Sequence, residues 1–153
     1  MTTSQIFLDA NIALYAAGNP HPLKEPCARL LEAVSTATDT FLTSSEVLQE
    51  VLHVSRRGTR SARGRTVFTV FANTMGSAVV PVDRADVVRA AELAERAGPG
   101  VGTRDLVHLA TMQRHGLTRI ASADRGFDAF DGVTRLDPAA LDDWSDPNWF
   151  PAG

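Results

Sequence analysis

Short apolar runs alternate with stretches whose apolar residues recur every three or four positions, and the two periods predict different elements. Residues 4–8, built on Ile6, Phe7 and Leu8, predict a buried strand. Residues 10–17 predict a helix, broken by Gly18-Asn19-Pro20. A second helix over 23–36 carries Leu23, Cys27, Leu30, Leu31 and Val34 at helical spacing. Residues 40–43 (TFLT) predict a strand, and Ser44 or Ser45 can cap a helix with Val47, Leu48, Val51, Leu52 and Val54 as its apolar positions. The run RRGTRSARGR at 56–65 interrupts this pattern with two glycines and five arginines. A helix resumes over 66–75 with Val67, Val70, Phe71 and Met75 inward. AVVPV at 78–82 predicts a strand, 84–97 a helix ended by Gly98-Pro99-Gly100, and 104–115 a helix capped by Thr103 and ended by Gly116. Strands follow at 119–122 and 133–136. The tail from Asp137 carries Trp144, Trp149 and Phe150 and no readable period.

Strands that alternate with helices predict an α/β fold with a mainly parallel sheet covered on both faces. Such sheets bind ligands beyond the carboxyl ends of their strands. There the first strand ends in a charge, Asp9, and the strand at 119–122 is followed by Asp124. Glu50 lies inside the apolar helix VLQEVLHV, and Asp105 in the first turn of TRDLVHLATM. Each acid has an ordinary structural explanation. Asp9 can cap the following helix, Asp105 suits a first turn, Asp124 suits a tight turn, and Glu46 rivals Glu50. As a set, four carboxylates at one crevice, with Asp128 as a fifth, repel one another and need a cation. Oxygen donors without a His or Cys cluster point to a hard divalent ion, magnesium or manganese.

Composition narrows this only slightly. The 153 residues suit one domain, and 44% apolar with 22% charged residues is ordinary for a globular chain. A formal charge of −3 gives no global field for nucleic acid, so any such contact needs a local patch. Cys27 is the sole cysteine, which fits a reducing compartment, and MTTSQ is not a secretory leader. The expected location is the cytoplasm, with no membrane association.

Four stretches, in order, resemble the motifs of PIN-domain ribonucleases of the VapC toxin type. They are IFLDAN with Asp9 and Asn11, TSSEVLQEVLHV with Glu50, GTRDLVHLATMQRHGLTRIAS with Asp105, and SADRGFDAFDGVTRLDP with Asp124 and Asp128. The resemblance selects Glu50 over Glu46. It implies a three-layer α/β sandwich with a mainly parallel sheet over 1–137, and leaves 138–153 as a tail of open structure. It implies a toxin that hydrolyses RNA, a tRNA or ribosomal RNA, with Mg2+ or Mn2+, and that is held by a VapB-type antitoxin and forms a homodimer. Asp9, Asp105, Asp124 and Asp128 are then expected as metal ligands, and Asp9, Glu50, Asp105 and Asp124 as the catalytic acids. Asn11, Thr103 and Ser122 are expected to hydrogen-bond the carboxylates or the phosphate. Helices 23–36 and 47–76 are candidate partner surfaces.

Positive charge for substrate comes from Arg56, Arg57, Arg60, Arg63 and Arg65, which read equally well as a solvated link. Arg104 and Arg125 neighbour proposed ligands. His53 and His108 read as core-edge residues, not as acid–base catalysts. No aromatic platform for single strands is visible, so recognition of a folded RNA's shape and backbone is expected. Two rivals are disfavoured. A receiver domain expects a late lysine, yet Lys24 is the only lysine; an aspartyl phosphatase expects Asp where Asn11 stands. A non-catalytic module of the same fold would have no need of the full acid set.

Overall fold

The computed structural model describes residues 5–37, 39–57 and 61–144, without the side chains of 61–64. Five short strands form one parallel sheet: β1 (Ile6–Leu8), β2 (Phe41–Ser44), β3 (Val79–Val80), β4 (Arg119–Ala121) and β5 (Thr134–Leu136). Their spatial order is β3-β2-β1-β4-β5. Helices α1 (Ala10–Ala17), α2 (Lys24–Thr36), α3 (Ser45–Ser55) and α4 (Ser61–Met75) pack among themselves. Helices α5 (Arg84–Arg96) and α6 (Thr103–Arg114) pack as a second pair. This is the expected three-layer α/β arrangement.

The central strand β1 is fully buried, which its unbroken apolar sequence requires. It pairs with β2 on one side and β4 on the other, Ile6 facing Phe41 and Arg119. The chain fills one half of the sheet first and returns to the other side of β1 with β4. The switch point therefore lies between β1 and β4, where open parallel sheets form their crevice. The main core joins Phe7, Phe41, Phe71 and Phe127 with the buried faces of α1, α2 and α3. On α2, Cys27, Leu30 and Val34 are buried as their spacing predicts. Helix α6 ends where Gly116 turns back at φ +70°, a conformation that side chains disfavour.

Several expectations shift. Helix α4 begins at Ser61, inside the stretch read as a link, so Gly64 is tolerated within a helix. The strand expected at 78–82 shrinks to Val79–Val80, because Ala78 belongs to a 3-10 turn and Pro81 lacks an N–H for the ladder. Gly102, not Thr103, holds the cap position of α6. Val70, read as inward, is 56% exposed, and Leu52 and Val54, read as apolar positions of their helix, are 37% and 40% exposed. The tail is structured as far as Trp144. Pro138–Asp143 forms a 3-10 turn against α2, Leu141 enters the core, and Trp144 Nε1 donates to the Asp137 carbonyl. Trp149, Phe150 and Arg60 lie outside the described residues.

Candidate active site

Asp9 leaves β1 and caps α1, its Oδ1 accepting from Ala10 N at 2.8 Å. The structural reading of this residue is thus correct, and it does not exhaust the residue. Oδ2 accepts from Ser122 Oγ at 2.7 Å and from Asn11 Nδ2 at 3.2 Å. Ser122 sits just past β4, so these bonds lace the two strand ends across the switch point. Asn11 completes the lacing: its Nδ2 reaches Ser122 Oγ at 3.0 Å and its Oδ1 accepts from Ala123 N. Ser122 Oγ also accepts from Asp124 N at 3.0 Å. Asn11 and Ser122 are therefore the carboxylate partners that were expected, while Thr103 is exposed at the start of α6.

Glu50 and His108 approach Asp9 from α3 and α6. His108 Nε2 lies 3.6 Å from Glu50 Oε2 and 3.9 Å from Asp9 Oδ1, just beyond good hydrogen-bond length. Donor atoms of Asp9, Glu50 and His108 all fall within 4.8 Å of one another. His108 is fully buried against Phe7, and neither of its ring nitrogens has a hydrogen-bond partner of good geometry among the described residues. The sequence reading missed this residue. The signal lay in the Asp105-x-x-His108 spacing, which puts both on one helix face. His53, by contrast, is exposed, not at the core edge.

The electrostatics separate the acids. Burial pushes the Asp9 carboxyl above its ordinary range, opposed by His108 and the Ser122 hydroxyl. Burial, then the neighbouring charges of Asp124 and Asp9, pushes Asp105 up to about 6. Glu50 is held below its ordinary value, first by His108 and then by Arg104, against the cost of burial. Arg104 Nη1 lies 3.4 Å from Glu50 Oε1, and its Nε lies 3.2 Å from Glu46 Oε1. Arg104 is thus shared between Glu46 and Glu50, and Glu50 also borders His108 and Asp9. Asp124 is exposed at the rim, its Oδ1 accepting from Gly126 N.

Asp9 and Glu50 meet at His108, and Asp105 lies close enough to feel the charges of Asp124, Asp9 and Glu50. Asp128 does not join them. Both its oxygens accept from Arg135, at 2.9 and 3.2 Å, so its charge already has a cation. Arg56, Arg57 and Arg65 are exposed, and the side chain of Arg63 lies outside the described residues.

This donor set fits a divalent cation. Asp9 Oδ1 keeps a lone pair beyond its one hydrogen bond, while Oδ2 already accepts two. Asp105 feels uncompensated negative charge, and the buried His108 nitrogens have no well-placed partner among the described residues. His108 adds an imidazole nitrogen to a set expected to hold oxygens alone.

The family model of the PIN domain matches residues 6–133. Ribonuclease VapC13 of Mycobacterium tuberculosis is 36% identical over 133 residues, 86% of this chain and 98% of that protein. Ribonuclease VapC23 of the same species is 39% identical over 119 residues, 78% of this chain and 92% of the other. Among solved structures, DNA-bound VapBC of Salmonella typhimurium superposes with a TM-score of 0.64 at 21% identity, covering 89% of this chain and 99% of that one. A likeness at that identity speaks for the fold; the sequence relatives speak for the lineage. With a parallel sheet that carries Asp9 and Asp124 at its switch point and Glu50 and Asp105 on the flanking helices, the chain belongs to the PIN-domain family, among the VapC ribonucleases.

Proposed function

We propose that the protein is a metal-dependent endoribonuclease, the toxin of a toxin–antitoxin pair, and that Asp9, Asp105 and Asp124 hold the ion with Glu50 completing the shell. The observation that carries this is the meeting of Asp9, Glu50 and His108 within 4.8 Å, beside an Asp105 raised to about 6. The ion is Mg2+ or Mn2+, and His108 within reach favours manganese.

When bound, the ion would polarise the scissile phosphate and neutralise the charge that grows on it during phosphoryl transfer. The chain does the rest. Glu50 stays ionised beside His108 and Arg104, so its carboxylate can accept a hydrogen bond from the attacking water and aim it. Asn11 and Ser122 fix the Asp9 carboxylate through three hydrogen bonds that hold it and one another in place. Attack of water on phosphorus with loss of the 3′-oxygen leaves a 5′-phosphate and a 3′-hydroxyl. That route does not use the ribose 2′-hydroxyl and needs no histidine pair. Arg56, Arg57 and Arg65, with Arg60 and Arg63, bind flanking phosphates of a tRNA or ribosomal RNA.

A VapB-type antitoxin is the partner, as VapBC of Salmonella typhimurium is a complex by name. Its apolar face would meet the groove of about 290 Å3 lined by Ala13, Leu31, Val67, Val70 and Phe71. Leu52 and Val54 supply an apolar patch for a homodimer. No described helix is long and apolar enough to cross a membrane. We place the protein in the cytoplasm; the Cys27 thiol, buried and pushed up to about 12, is inert there.

The test is cleavage of a pool of tRNA and ribosomal RNA by purified, partner-free protein with Mg2+, with Mn2+ and with chelator. Metal-dependent cleavage that Asp9→Asn abolishes is the expected result. Equal cleavage by both proteins, or none by either, sinks the reading.

A further inference from the structure

A second cavity, of about 370 Å3, opens beside the acid site along one face of α1. Its floor is the helical row Asn11, Leu14, Tyr15 and Gly18, and Asn19 and His21 close it. This volume falls in the range of small-molecule pockets and is enough for a nucleoside. Asn11 belongs to both places. Its side chain is bound to Asp9 and Ser122, while it also forms the cavity's inner wall. Tyr15 lies four residues further on, about 6 Å along the axis.

The cavity carries the platform that the sequence did not reveal. The rings of Tyr15 and His21 lie 4.6 Å apart, tilted by 31°. Two features build this pair. Gly18 ends α1 where a Cβ would come within 2.8 Å of the Leu14 carbonyl oxygen, so only glycine lets the chain turn there without displacement. His21 is then fixed from behind, its Nδ1 accepting from Leu23 N at 3.1 Å. With Nδ1 as acceptor, the ring proton is on Nε2, which is left as a donor. Lys24, the one lysine, closes the same turn by donating from Nζ to the Gly18 carbonyl at 2.8 Å.

Half-exposed aromatic rings, an amide and an imidazole N–H around a nucleoside-sized space are the chemistry that recognises an unstacked base. We propose that this cavity is a nucleobase subsite, in which Tyr15 and His21 stack one unpaired base of the RNA next to the scissile phosphate. It deepens the ribonuclease reading and rests on it. It also revises the expectation of recognition through shape and backbone alone: the cut strand is single-stranded at this position, and Asn11 links base capture to the acid site. An antitoxin side chain is the competing occupant. The groove between α1, α2 and α4, lined by Ala13, Leu31, Val67, Val70 and Phe71 without an aromatic pair or an amide, suits a protein partner better.

Two measurements test this. In the first, nucleoside 5′-monophosphates are titrated into metal-free protein while the ring protons of Tyr15, the single tyrosine, are followed by NMR. In the second, cleavage of an unstructured RNA pool is compared for wild type, Tyr15→Leu, Tyr15→Phe and His21→Ala, with the cut ends sequenced. The expected result is an upfield shift of the Tyr15 ring with at least one nucleotide, lost in Tyr15→Leu. Tyr15→Leu and His21→Ala should lose about 5- to 150-fold in kcat/KM, mainly through KM, with a flattened base preference at one position beside the cut. Tyr15→Phe, which keeps the stacking face, should retain most activity and controls for folding. No ring shift with any nucleotide overturns the proposal. So does cleavage that Tyr15→Leu leaves unchanged, or a defect seen only in inhibition by a co-expressed antitoxin. A ring shift in a protein that cuts no RNA would keep the base subsite and remove the ribonuclease reading.

Discussion

Asp9 and Asp86 are both buried aspartates at the amino end of a helix, and their surroundings are opposite. Asp86, in the first turn of α5, accepts from Arg114 Nε at 2.7 Å and Nη2 at 2.9 Å, and from Asp83 N at 2.9 Å. Arg114 also donates to the Pro81 carbonyl at 2.8 Å, so one ion pair ties α5, α6 and the end of β3 together. The arginine holds Asp86 below the ordinary carboxylate range. Asp9 has hydroxyl, amide and N–H donors but no arginine or lysine, and burial pushes it up. The difference separates a carboxylate matched by a bidentate arginine from one whose cationic neighbour is only His108, 3.9 Å away. Burial alone does not mark a site; burial with an incomplete charge balance does.

The comparison is broken most severely at Asp9. Asp9→Asn should lower metal-dependent RNA cleavage by about 10³-fold or more, since several kcal/mol of charge stabilisation disappear from the transition state. Its thermal midpoint should stay level or rise, because a buried repulsive charge goes with it. Asp86→Asn should do the reverse. It should cost about 2–3 kcal/mol in urea unfolding by leaving Arg114 without its charged partner, with kcat/KM of the folded protein unchanged.

The two acids also predict opposite pH responses. Asp86 has a folded pKa below its unfolded one, so its contribution is full above the unfolded value near 4 and is lost as pH falls through the folded value. Asp105 is raised to about 6, so the folded protein binds the extra proton between the two values. Stability of the metal-free protein therefore declines as pH rises from about 4 to about 6 through this group. Asp105→Asn should recover about 1–2 kcal/mol at pH 7 in chelator, after allowance for solvent screening, and nothing at pH 4. Thermal melts at both pH values check this; equal gains would refute it.

The smallest effect concerns Arg104, a cation that is half exposed and shared between Glu46 and Glu50. Arg104→Gln should alter stability by less than about 1 kcal/mol. It should also lower the Mn2+ concentration needed for half-maximal cleavage a few-fold, because a competing charge leaves Glu50. A higher requirement would make Arg104 a supporting residue.

The acids were legible because chain order and strand ends mark them, even though each alone has a structural reading. Asp9 in fact does two things at once: it caps α1 and joins Glu50 and His108 in one group of donor atoms. His108 was not legible, since a lone histidine on an apolar helix looks the same whether it fills a core or faces a site; only Glu50 and Asp9 around it decide. Tyr15 and His21 were missed because a break separates them in sequence, and the turn at Gly18 brings them together. Leu52, Val54 and Val70 repeat at helical spacing, but periodicity does not say whether an apolar position meets the core or another surface. The ordered tail has no period to read, because a 3-10 turn is too short to show one. Asp128 looked like a ligand until Arg135, seven residues on, claimed it.

The hydrogen bond from Ser122 to Asp9 spans 113 residues of chain. At about 5–20 residues per second, a ribosome takes on the order of 6–20 s to travel from one to the other. Throughout that interval the first half of the sheet exists without the strand that completes the crevice, and parallel pairing of such distant segments is slow to form. The nascent chain thus lacks its acid crevice by topology: Asp9 waits for Ser122, and the residues that meet there are among the last to assemble.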